Sequence, residues 1–185
     1  MRLLLASNSP RRRELLARLV PDFGVEPSRF AECGAGFLAC DAALANARGK
    51  AREVASRCPG CAVLGADTVV SPDGREIFGK PRDAAQARAM LRTLSGREHF
   101  VYSGVCLIAR GREDADTVCT RVYFSPLTDE LIDRYVASGL PMDKAGAYGI
   151  QDGYPLVSRY EGSWSNVVGL PLERLQAMLR AAGLI

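Results

Sequence analysis

The sequence predicts an α/β protein with a mixed central sheet flanked by helices, on three observations. Short apolar runs, Leu3–Ala6 and Ala62–Ala66, alternate with stretches whose apolar residues recur at helical spacing, as Leu44, Ala47, Ala51 and Val54 do. The first run ends in the hydroxyl-rich turn Ser7-Asn8-Ser9-Pro10, which opens a helix. Two strand-like runs, His99–Ile108 and Thr117–Phe124, meet around Gly111 as a hairpin, so part of the sheet is antiparallel.

Each element follows from local chemistry. Ser9 reads as an N-cap with Pro10 at the first helical position, and Leu15, Leu16 and Leu19 form the apolar face. Phe23–Glu26 reads as a short second strand and Leu38–Val54 as a helix carrying Lys50. The strand from Ala62 ends at Asp67-Thr68-Val69-Val70, and Ser71-Pro72-Asp73-Gly74 is a turn leading through Ile77-Phe78 to Gly79-Lys80-Pro81. Asp83 caps a helix through Leu94, which Gly96 ends; Thr128-Asp129-Glu130 opens another that finishes at Gly139. A Gly-rich loop, Lys144–Gly149, precedes Ile150-Gln151; Leu156–Tyr160 is a strand, and Pro171 starts a last helix closing near Gly183.

Composition narrows the class. A chain of 185 residues with no internal repeat or dividing linker reads as one domain, residues 1–185, long enough to bury a substantial core. A net charge of +3 is too small to point to a nucleic-acid polymer or a membrane surface. The four apolar residues at the N-terminus fall far short of a signal-peptide core, and the expected location is the cytoplasm. The six cysteines then read as reduced. Cys58-Pro59-Gly60-Cys61 precedes a strand instead of opening a helix after one, and lacks a second pair for zinc.

The candidate functional groups each have two readings. Ser7 to Arg13 places hydroxyls and three guanidinium groups at a helix N-terminus, a natural anion site, or else a capped helix with solvated arginines. Asp67, placed by the reading at the carboxyl end of a buried strand, is either a turn-capping carboxylate or a ligand-facing one. Lys50, Lys80 and Lys144 are surface lysines or phosphate partners, with Lys80 held in a rigid turn. Glu32 is solvated or, with Asp67, a hard oxygen ligand of the kind Mg²⁺ uses beside substrate phosphates. His99, the one histidine, reads as structural. Neither a Walker-type phosphate loop nor a G-x-G-x-x-G fingerprint is present.

Six motifs occur in one order: Ser7-x-Ser9-Pro10-Arg11-Arg12, Gly65–Val70, Gly79-Lys80-Pro81, Leu94-Ser95-Gly96-x-x-His99, Lys144–Gln151 and Asn166–Leu172. Together they resemble the Maf family of nucleoside triphosphate pyrophosphatases, over about residues 3 to 180. The resemblance implies a fold like that of the inosine triphosphate pyrophosphatases, two lobes around a cleft. It implies cleavage between the α- and β-phosphates with a divalent cation (Mg²⁺, Mn²⁺ or Co²⁺), and a homodimer. The Lys-Ala-Gly-Ala-Tyr-Gly-Ile-Gln version is similar to the subgroup acting on dTTP and UTP. By that likeness Asp67 is the proton acceptor, and Arg11, Thr68 and Gln151 choose the base. Ser7, Arg12, Lys50, Lys80 and Lys144 line the phosphates, and Asp67 with Glu32 holds the metal. The Gln151 amide can offer a donor and an acceptor to the O4/N3 edge of uracil or thymine.

This chain departs from the pattern in three places. Ala31 stands where an acidic residue usually precedes the Glu, within an unusual spacing from Ala31 to Cys40; Asp152 replaces the customary Gly; and Trp164 replaces a frequent Tyr. The competing readings are a 7-methyl-GTP pyrophosphatase, against which Ala147-Tyr148 and Gln151 speak, and a nucleotide-binding regulator of septum formation that needs no Asp67 chemistry.

Overall fold

The structure, a computed structural model, describes residues 1–34 and 36–185; residue 35, inside the 31–40 stretch, lies outside the described residues. The strands are β1 (Leu3–Leu5), β2 (Gly24–Val25), β3 (Ala62–Ser71), β4 (Glu98–Ala109), β5 (Arg112–Phe124) and β6 (Val157–Glu161). The helices are α1 (Pro10–Ala17), α2 (Ala39–Arg57), α3 (Ala84–Leu94), α4 (Asp129–Ala137), α5 (Trp164–Val168) and α6 (Leu172–Ala181). The strands form one mixed sheet in the order β2-β1-β3-β4-β5-β6, parallel among the first three and antiparallel thereafter.

The predicted caps form. Ser9 accepts from Arg12 N at 3.4 Å, Asp83 from Gln86 N at 2.7 Å and Thr128 from Leu131 N at 3.2 Å. Helix α2 has no side-chain cap, and Ala39 N instead donates to Gly74 O at 3.0 Å, in the turn after β3. Strand β5 begins five residues earlier than its apolar pattern indicates. Its polar start, Arg112–Asp116, pairs with β4, while Asp114 and Asp116 take ion pairs from Arg174. The short helix α5 has no signal in the periodicity; Ser163 caps it through Asn166 N. Among the described residues no helix is long and apolar enough to cross a membrane.

Two features of β3 position the site. Its pairing with β1 ends early, at Leu5 opposite Leu64 and Ala6 N on Leu64 O, whereas β3 continues to Ser71 against β4. Asp67 therefore lies in the middle of a ten-residue strand, not at its carboxyl end as the sequence reading has it. The rule that ligands gather at carboxyl ends of parallel strands still applies, because the parallel part of β3 has ended there. Alternation does the rest. Leu64 and Ala66 belong to a core with Leu15, Leu16, Leu175 and Leu179, whereas Val70, on the same face, belongs to another with Leu91, Leu94, Tyr135 and Leu156. Thr68 falls at the gap between these two lobes.

The other face of β3 carries α2, with Ala43, Ala47 and Ala51 buried against it. The approach is unusually close because the strands offer glycines. A Cβ on Gly65 would stand 2.2 Å from Ala47 O, and one on Gly104, the residue paired with Asp67, 2.1 Å from Ala43 O. Only glycine fits at either place.

Candidate active site

The close docking of α2 brings two of its polar residues to Asp67. Lys50 and Asn46 sit four apart, on the face that otherwise carries alanines, and both are buried. Lys50 Nζ donates to Asp67 Oδ1 at 2.7 Å and pairs with Glu32 Oε1 at 2.6 Å. Asn46 Nδ2 donates to Asp67 Oδ2 at 2.9 Å and to Cys33 O at 2.9 Å, while its Oδ1 accepts from Cys33 N at 2.8 Å. Asn46 thereby ties the segment bearing Glu32 to the strand bearing Asp67. The sequence reading missed Asn46, although an amide four residues from Lys50 on an apolar helix face was a usable signal.

The opposite wall comes from α1 and the loop after α5. Arg12 Nε donates to Gly169 O at 2.9 Å, Nη1 to Ser7 Oγ at 3.2 Å and Nη2 to Thr68 Oγ1 at 3.2 Å. Burial lowers the Arg12 pKa, a tendency that the charges of Asp67 and Glu32 oppose. Thr68 Oγ1 also meets Ser103 Oγ at 2.8 Å, and Ser103 donates to Asn166 O at 3.0 Å. Ser103 and Asn166 thus lie behind the site; Ser103 was missed, because β4 reads simply as a strand, whereas Asn166 was named only as the start of a motif, without a role.

The third wall is the turn and Gly-rich segment at 139–152. Arg11 crosses to it, donating to Asp143 Oδ2 at 2.6 Å and to Asp143 O at 3.0 Å. Lys144 Nζ donates to Leu140 O at 2.6 Å and to Asp143 Oδ1 at 2.9 Å, and it forms an ion pair with Asp152 Oδ2 at 3.3 Å. Burial raises the Asp143 pKa, but the hydrogen bonds from Arg11 and Lys144 outweigh it and leave the carboxyl below its ordinary range. Lys80 stands exposed in its turn. Burial likewise works against a charged Glu32, yet the hydrogen bond and charge of Lys50, with Arg12 and Lys80 behind, hold its carboxyl below the usual value.

The predicted site residues Arg11, Arg12, Glu32, Lys50, Asp67, Thr68, Lys80, Lys144 and Gln151 line one cavity of about 410 Å³, together with Asn46 and Asp143. Ser7 stands just behind, held to Arg12. His99 lies away from the cavity in the core, with Nε2 2.8 Å from Tyr148 Oη.

The donor set bears on a metal. Among the described residues no three His, Cys, Asp or Glu side chains cluster as a ready-made cage. Two carboxylates flanking one ammonium, with room for phosphates, suit a Mg²⁺-type ion, which takes one or two carboxylates and completes its shell from substrate and water.

A mixed α/β sheet whose two lobes face a cleft of carboxylates and cations defines a protein that grips a small polyanion. The chain belongs to the Maf family, whose description, Maf-like protein, matches residues 2–182. A dTTP/UTP pyrophosphatase of Thermococcus gammatolerans is 52% identical over 172 residues, 92% of this chain and 91% of the relative. One of Myxococcus xanthus is 52% identical over 184 residues, 98% and 93% of the two chains. The solved structure of the Staphylococcus aureus Ham1 protein superposes with a TM-score of 0.56 at 14% identity, covering 98% and 99% of the two chains; that likeness is one of fold.

Proposed function

We propose that this chain is a nucleoside triphosphate pyrophosphatase acting on dTTP and UTP, releasing the monophosphate and pyrophosphate. The observation that carries the reading is the gathering of Asp67, Glu32, Lys50, Arg12 and Lys80 around one cavity, from five separate parts of a chain about half identical to proteins of that name. Phosphoryl transfer asks a protein mainly for positioning and charge stabilisation, which these groups supply.

In this proposal Asp67 and Glu32 would hold a divalent cation (Mg²⁺, Mn²⁺ or Co²⁺), which would supply charge neutralisation and make a nearby water more acidic. Asp67 accepts the proton of the water that attacks the α-phosphorus. The new bond joins water oxygen to phosphorus; the bond to the oxygen bridging the β-phosphate breaks, and pyrophosphate leaves with those electrons. Arg12, Lys50 and Lys80 neutralise it. Ser7 holds Arg12 in place beside the phosphates. Lys144, already bonded to Leu140 and Asp143, acts by its field and by holding Asp143 and Asp152. Thr68 and Arg11 shape the wall that the nucleoside meets, and Gln151 reads the base. A single unit over residues 1–185 and a homodimeric assembly belong to the same proposal.

The test is a panel of ribo- and deoxyribonucleoside triphosphates with Mg²⁺, Mn²⁺ and Co²⁺, reading monophosphate and pyrophosphate together. Metal-dependent release of pyrophosphate, fastest from UTP and dTTP, is the expected result. Preference for a purine triphosphate, or release of orthophosphate in place of pyrophosphate, refutes it.

A further inference from the structure

Asp152 is held more firmly than its place in a loop requires. Its side chain is only 6% exposed. Oδ2 accepts from Tyr135 Oη at 2.6 Å and lies 3.3 Å from Lys144 Nζ, while Oδ1 accepts from Gln151 Nε2 at 3.2 Å. Tyr135 is itself fixed, since its hydroxyl oxygen accepts from Gly149 N at 2.9 Å. The three side chains converge over Gly149: a Cβ there would lie 2.7 Å from Asp152 Oδ1, from Gln151 Nε2 and from Lys144 Cε. The backbone has been left bare at the point where they meet.

This geometry matters because a glutamine amide has two faces. A carboxylate beside an ammonium is an acceptor only, so it takes the NH₂ end of Gln151 and repels the carbonyl end. The cleft is then offered Oε1 and the remaining N–H in one fixed order. Uracil and thymine present O4, an acceptor, next to N3–H, a donor; that edge pairs with the amide in one orientation. Cytosine presents a 4-amino donor next to an N3 acceptor and pairs with the same amide only after a half-turn, which would set Oε1 against Asp152 Oδ1.

We infer that Asp152 is a specificity-determining residue: it fixes the Gln151 amide in the orientation that pairs with uracil or thymine and so excludes cytosine. The inference rests on the reading of Gln151 as the group that meets the base. Asp152 itself touches no substrate in this scheme and is a positioning residue.

The experiment compares kcat/KM for UTP and CTP in Asp152→Asn, Asp152→Gly, Tyr135→Phe and Gln151→Ala. Asparagine keeps the shape but can face either end of the amide, and glycine removes the carboxylate without adding bulk. Both are expected to raise the CTP-to-UTP ratio by about tenfold or more, the scale of one bidentate base contact. Tyr135→Phe removes a partner of Oδ2 but leaves the Oδ1 contact; it is expected to lower both substrates alike, as a merely structural role would. If Gln151→Ala shifts the ratio and neither Asp152 variant does, the inference is overturned. An unmoved ratio in Gln151→Ala instead overturns the base-reading assignment beneath it.

Discussion

Gly104→Ala tests whether the close seating of α2 creates the site. The added Cβ would stand 2.1 Å from Ala43 O, 2.4 Å from Ala43 C and 2.8 Å from Leu44 N. All three are helix backbone, so no flexible side chain can swing away. Restoring an ordinary contact requires α2 and β4 to separate by about 1 Å, an overpacking strain of roughly 1–3 kcal/mol. For a chain of this size that lowers Tm by roughly 2–12 °C. Lys50 and Asn46 ride on the same helix, and their bonds to Asp67 are now 2.7 and 2.9 Å. A 1 Å retreat takes both beyond hydrogen-bond length. Misplacement of that size in a catalytic constellation costs about a hundredfold in rate. The assay pairs thermal unfolding with kcat/KM for UTP, measured well below the variant's Tm. Wild-type turnover in a folded variant would show that the helix position does not set the chemistry.

Other outcomes follow from single side chains. Asp67→Asn is expected to bind UTP with similar affinity by calorimetry but to lose about a hundredfold or more in pyrophosphate release; a rate near wild type refutes the proton-acceptor role. Asn46→Ala leaves Asp67 Oδ2 and the Cys33 backbone short of a partner, so urea unfolding should register a loss of about 1–3 kcal/mol. Its activity should fall with it, and unchanged stability would mean that water replaces the amide. Stability should also depend on pH through His99, whose pKa burial pushes down to about 4 from 6.5. The unfolded chain takes up the proton below pH 6.5 and the folded one only below about 4. Stability is therefore lost as pH falls across that window, by about 3 kcal/mol, with no further loss from this group below it. His99→Gln should flatten that slope in denaturation curves measured from pH 7 to 4.

Local chemistry was legible in the chain alone. The caps at Ser9, Asp83 and Thr128, the glycine stops and the alternation of apolar runs depend on near neighbours, and they set where helices begin and strands lie. Several residues that line the cleft were also named in advance, because Arg12, Asp67, Lys80 and Lys144 stand in short motifs with fixed local spacing. What each of them touches was not legible. That Asp67 sits in mid-strand follows from β4 pairing with β3 as far as Ser71, a fact about a different segment. That Lys50 reaches Asp67 instead of water, and that Asn46 matters at all, follows from two glycines on separate strands letting one helix settle to backbone contact. Lys144 reads as a free cation until the fold surrounds it with three acceptors. Sequence fixes which groups a segment can offer within a turn or two of chain, whereas the dielectric and the partners that decide their use come from segments that can lie more than a hundred residues away, as Asp143 does from Arg11, and only packing brings those together.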